Sequence, residues 1–167
     1  MFKVFIDGND DRLRLEDPEG RKIGWIRGQI IGFGGLTSEK AAVRAVPEAW
    51  LALETTLQRG YPGRPARPVK KSNIEIVHDG AYEWIADGFR PLARLLRPHT
   101  GRNSEDSFAL EFVVPSYATQ HVTIAAAQAV WQVVSDYIPV RADELARPAV
   151  DSNQGAFESA AMAAGGA

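Results

Sequence analysis

Residues 25–60 read WIRGQIIGFGGLTSEKAAVRAVPEAWLALETTLQRG. The run opens as a strand: Ile23, Trp25, Gln29, Ile30, Ile31 and Phe33 are β-prone, interrupted by Gly24, Gly28 and Gly32. Glycine inside a strand pattern marks a bulge or a close backbone approach. Gly34 and Gly35 then free the chain to turn, and Thr37 or Ser38 is placed to cap a helix, with Glu39 facing the positive end of its dipole. Ala42, Val46, Ala49, Trp50, Leu53 and Leu57 follow the 3.6-residue period and form one apolar stripe, while Glu39, Arg44, Glu48, Glu54 and Gln58 fall mostly off it. Pro47 interrupts the hydrogen-bond ladder. Because the stripe continues past it, the reading is one kinked helix rather than two, stopped at Gly60.

Working outward, residues 2–6 and 12–16 read as strands joined by a turn at Asp7-Gly8-Asn9. Leu13 and Leu15 alternate with Arg12, Arg14 and Glu16, the pattern of a half-buried strand. Asp17-Pro18-Glu19-Gly20 has the residues of a type I turn in order. Further strands follow at 21–27 and 29–33. Beyond the helix, the plan recurs. Strands are expected at 73–77, 82–86, 89–96 (where Arg94-Leu95-Leu96 also suits a helix) and 107–114, and a helix at 119–138 ended by Pro139. Its apolar seam is Ile124, Ala127, Trp131, Val134 and Ile138. The expected fold is therefore α+β: two β-meander-plus-helix halves related by internal duplication, an antiparallel sheet packed on two long helices. The expected organisation is residues 1–60, a basic proline-rich linker at 61–72, residues 73–140, and an Ala/Gly-rich disordered tail at 141–167.

Composition excludes several classes. The 167 residues contain no cysteine, so there is no disulfide framework, thiolate nucleophile or cysteine zinc site. No apolar run has membrane-spanning length, and the N-terminus is too soon interrupted to be a signal peptide, so a cytoplasmic protein without a membrane role is expected. The excess of arginine over lysine and the abundant alanine hint at a GC-rich bacterial genome. A net charge of −2 argues against a chain built mainly to hold nucleic acid, which needs a basic face.

The chemical motifs are sparse. Asp7, Asp10 and Asp11 lack the spacing of an EF-hand loop. His78, His99 and His121 have no partner at metal-ligand spacing, so no metal or cofactor is expected. Ser116, His121 and Asp136 can be written as a triad, but no nucleophile elbow accompanies them, and the glycines at 28–35 are followed by no Gly-Lys-Ser/Thr. No catalytic residue is assigned. Trp25 and Trp84 fall on strands, Trp50 and Trp131 on helices. All four suit a core, and the strand pair would become contact anchors on an outer sheet face.

Residues 15–50 resemble the AP2-type DNA-binding module. The matching features are a strand ending in Asp17-Pro18, a Gly20-Arg21 turn, a strand reaching Ile31-Gly32-Phe33, and a helix opened by Thr37-Ser38-Glu39-Lys40. The resemblance implies base contacts by Arg14, Arg21, Trp25 and Arg27. This chain departs from that family in lacking dense basic strands and in carrying Glu16, Asp17 and Glu19 where phosphates would approach. Gly63-Arg64-Pro65 resembles an AT-hook core. The expected function is that of a non-enzymatic binding or adaptor protein contacting another protein or itself, as a homodimer. Nucleic-acid binding through the arginine-bearing sheet face and the basic linker is the alternative. The candidate binding residues are Arg14, Trp25, Arg27, Arg64, Arg67, Lys70 and Lys71.

Overall fold

The computed structural model describes residues 3–6, 12–65, 67–98 and 107–138. Its first half runs β1 (Lys3–Ile6), β2 (Leu13–Glu16), β3 (Lys22–Arg27), β4 (Ile30–Leu36) and α1 (Glu39–Gly60). Its second half runs β5 (Ile74–Asp79), β6 (Tyr82–Asp87), β7 (Arg90–Leu96), β8 (Phe108–Val113) and α2 (Gln120–Val134). All eight strands form one sheet in the order β1-β2-β3-β4-β8-β7-β6-β5, and every neighbouring pair is antiparallel. Each half is thus a meander, and the last strand of each lies at the centre, β4 beside β8.

The turns and caps are built by the residues that suit them. Asp17 accepts from the backbone N–H groups of Glu19 and Arg21 through Oδ1, and Gly20 N–H closes the turn on the Asp17 carbonyl at 2.9 Å. Gly20 has φ of 88°, which glycine adopts without a Cβ penalty. Ser38 caps α1 by accepting from Ala41 N–H, and Thr119 caps α2 by accepting from Val122 N–H. α1 runs unbroken through Pro47, whose ring is buried. The helix includes Gly60 and is capped by Tyr61, one residue later than expected.

Alternation along the strands divides the sheet into two faces. One face carries Leu15, Ile26, Ile31, Phe33, Leu110, Phe112, Leu95 and Ile85, all at most 4% exposed. Both helices cover it. Trp131 of α2 meets Phe33 at 5.6 Å between ring centroids, and Ala42, Val46, Ala49, Leu53 and Leu57 of α1 join the same core. Trp50 and Trp131 pack against that core, as their helical positions suggested.

Two expectations are corrected. The second helix is not long: α2 ends at Val134, then tightens into a 3-10 turn at Ser135–Tyr137. The Ser135 hydroxyl donates to the Gln132 carbonyl, and Pro139 disfavours helical backbone at Ile138, which is extended. Residues 94–96 are strand, in line with the extended reading of 89–96, and Leu95 fills the core opposite Leu110. Glu54, expected off the apolar stripe, is buried. The turn at Asp7, the aspartate set with Asp10 and Asp11, the loop holding His99, and the tail at 141–167 lie outside the described residues.

The strand glycines mark close approaches, one on each face. A Cβ on Gly24 would run into the Gly32 carbonyl and the Phe33 ring, and a Cβ on Gly32 would run into the indole of Trp25. Gly24→Ala is therefore expected to lower stability by about 2–3 kcal/mol, as overpacking against backbone does. Urea unfolding checks this: the midpoint should fall with the slope unchanged.

Candidate binding surface

The helices cover one sheet face, so the other is left to face outward among the described residues. Cross-strand register places a continuous row of side chains on it. Arg14 on β2 pairs with Trp25 on β3, Trp25 with Gly32 on β4, and Gly32 with Glu111 on β8. Glu111 pairs in turn with Arg94 on β7, Arg94 with Trp84 on β6, and Trp84 with Val77 on β5. Adjacent strands lie about 4.8 Å apart, so the row spans on the order of 29 Å. Arg27, Ile30 and Val113 form a second row beside it.

Trp25 and Trp84 are half-buried and stand outside the core. A shared-core role for these two is thus replaced by an outer-face position, and the cause is strand parity: their neighbours Gly24, Ile26 and Ile85 take the inner places. Gly32 lets the Trp25 indole lie down over the β4 backbone. Tyr82 and Val113 add apolar surface at 49% and 53% exposure.

The charges on this face are largely cancelled in place. Arg14 Nε donates to Glu16 at 2.7 Å. Arg94 bonds Glu111 at 3.3 Å, and its guanidinium lies 4.1 Å from the Tyr82 ring centroid. Glu111 is 6% exposed at the middle of the row. Arg94, Glu111 and Tyr82 were missed in the sequence. The available signal was Glu111, a charge at the centre of an apolar strand and therefore on the face opposite Leu110 and Phe112.

The remaining candidates sit elsewhere. Arg64 makes two bonds to the buried Glu54 carboxylate, at 3.1 and 2.9 Å, and donates to the Tyr117 hydroxyl. The Glu54 bonds raise its already high pKa further. Tyr61 stacks edge-on against Tyr117, and its hydroxyl donates to the Tyr117 carbonyl and accepts from Thr119 N–H. This cluster fastens the linker to both helices. Further on, Arg90 donates to the Arg67 and Pro68 carbonyls and to Asp87, and lies 4.7 Å over Trp50 of α1. The linker is therefore held on the helix side of the sheet, where Arg67, Lys70 and Lys71 are exposed. The structure brings Arg14, Trp25 and Arg27 together and separates them from the basic linker. Of the contacts implied by the AP2-type resemblance, Arg21 is engaged by Asp17 at 2.8 Å.

The described histidines, His78 and His121, do not assemble chemistry. His78 lies 3.6 Å from Glu83, but it is 72% exposed, and Glu83 is held by Arg97, which also reaches Glu39 of α1. His121 and Asp136 bracket α2, roughly 22 Å apart at the helical rise, so they cannot share a triad with Ser116. Among the described residues no group of three or more His, Asp or Glu side chains is arranged to hold a metal ion, and no helix is long and apolar enough to cross a membrane. Comparison with protein-family models, curated proteins and solved structures finds no match.

Two outcomes follow from these contacts. Arg64→Ala strands the Glu54 carboxylate and should cost about 2–3 kcal/mol, whereas Arg67→Ala, Lys70→Ala and Lys71→Ala should each stay within about 0.5 kcal/mol by urea unfolding. Bonds from Arg97 hold Glu83, and bonds from Arg90 hold Asp87, below the ordinary carboxylate range. Their contribution is complete above about pH 4.5, the unfolded range, and is lost as pH falls through the lowered folded values. Glu83→Gln with Asp87→Asn should flatten the acid-side fall of the unfolding midpoint.

Proposed function

We propose that the chain is a non-enzymatic binding protein whose contact surface is the open sheet face, and that its partner is another protein or a second copy of itself. The observation that carries this reading is the row Arg14, Trp25, Gly32, Glu111, Arg94, Trp84. Tryptophan, tyrosine and arginine are the residues that concentrate binding energy at protein interfaces. Arg14 and Arg94 are partnered by Glu16 and Glu111, so the row around the two tryptophans presents aromatic area with little net charge. A phosphate backbone would need those cations unpaired. Such paired groups suit a neutral protein surface, where they fix register rather than supply bulk attraction.

The same reading takes the two halves as products of an internal duplication. Its support is the strand order, which reads as a meander from either edge toward the centre, and the hydroxyl-capped helix that closes each half. A cytoplasmic setting fits the absence of cysteine.

The test is light scattering for self-association together with affinity capture and titration of any recovered protein partner. The Trp25→Ala, Trp84→Ala double variant should keep the circular dichroism spectrum and weaken the contact by about thirtyfold or more, the consequence of losing a hot spot. A partner held equally well by the variant, or salt-dependent nucleic-acid binding lost with the same two residues, would contradict the proposal.

A further inference from the structure

A second surface lies on the other side of the sheet and does not depend on the open-face reading. The β6–β7 hairpin turns through Gly88 and Phe89, with Gly88 at φ 62°. Phe89 stands wholly exposed at its tip. Beside it is an open groove of about 590 Å³ lined by Arg67, Pro68, Asp87, Phe89 and Arg90.

Hydrogen bonds tie the linker to the hairpin beside the groove, and exposed cations stand on that linker. Arg90 ties the linker carbonyls of Arg67 and Pro68 to the hairpin, and Asp87 accepts from Arg90 at 2.9 Å and from Lys70 N–H at 3.2 Å. Its one acid is thus already neutralised. The Arg67, Lys70 and Lys71 side chains are exposed and have no acidic partner among the described residues. On the open face, by contrast, Arg14 and Arg94 are paired with Glu16 and Glu111. A groove lined by Arg67 and the exposed Phe89, with Lys70 and Lys71 following on the same linker, complements a short chain that carries both carboxylates and an apolar side chain.

We propose that this groove binds an acidic peptide segment of a partner protein, with an apolar residue of that segment against Phe89 and carboxylates toward Arg67, Lys70 and Lys71. A peptide is favoured over single-stranded nucleic acid because only one aromatic ring is offered. Strand-tracking surfaces stack successive bases on several rings and run a continuous basic groove.

The experiment is selection of a displayed random dodecapeptide library on the full chain. Anisotropy titrations of the enriched peptides and of a labelled oligodeoxythymidine follow. The expected result is enrichment of acidic residues flanking an apolar one. Affinity should fall about tenfold in Phe89→Ser and again in the Arg67→Ala, Lys70→Ala, Lys71→Ala triple variant, while Trp25→Ala, Trp84→Ala leaves it unchanged. All the altered side chains in the first two variants are exposed, so matched circular dichroism spectra are expected. No enrichment, enrichment without acidic bias, or peptides indifferent to both groove variants would overturn the proposal. So would oligonucleotide binding that these variants abolish.

Discussion

The antiparallel pairing of β4 with β8 is the constraint on which everything else rests. Ile31 lies opposite Phe112 and Phe33 opposite Leu110, and all four are fully buried. A half of this chain alone is small for a self-sufficient core. Joining the halves at their last strands makes one sheet and places the following helices side by side on one face. α1 and α2 then pack against each other as well as on the sheet, and the core has a single inside. The cost of that arrangement is that neither of these helices covers the opposite face.

Period-two alternation decides what lies on that uncovered face. Once Leu15, Ile26 and Ile31 are drawn to the helices, Arg14, Trp25 and Arg27 have no other place to go. Gly24 and Gly32 show the same rule at close range. One clears space for Phe33 on the inner side and the other for Trp25 on the outer side. The charges divide in a parallel way. Those of Arg14 and Arg94 on the open face are cancelled locally, those at Glu54 and Arg64 fasten the linker, and Arg67, Lys70 and Lys71 have no acidic partner among the described residues.

Most of the fold was legible because its signals are local. The Asp17-Pro18-Glu19-Gly20 turn, the caps at Ser38 and Thr119, and the alternation in 108–113 each depend on a few neighbouring residues. The α1 stripe outweighed Pro47 because five of its six positions are buried. What the sequence hid was long-range. Nothing local says that Gly32 faces Glu111, since that pairing joins residues 79 positions apart. For Trp25 and Trp84 the sequence leaves core and outer face both open, because aromatic composition is blind to which side of a strand is covered. Arg64 looked like part of a basic linker because its partner, Glu54, is a helix residue brought to it only by the turn at Tyr61. The basic groove was half visible, as Arg67, Lys70 and Lys71, but Phe89 joins them only through the β6–β7 hairpin.

The central claim is that the open sheet face is where this chain meets a protein. Photo-crosslinking in the producing cell tests it most directly, with a benzophenone side chain at Val113 on that face and, for comparison, at Leu51 on the outer surface of α1. Both sites are more than half exposed, so either accepts the probe without disturbing the core. The account predicts a discrete protein adduct from position 113, self or foreign, that is absent from position 51. Equal adducts from both sites, or a nucleic-acid adduct from position 113, would contradict it.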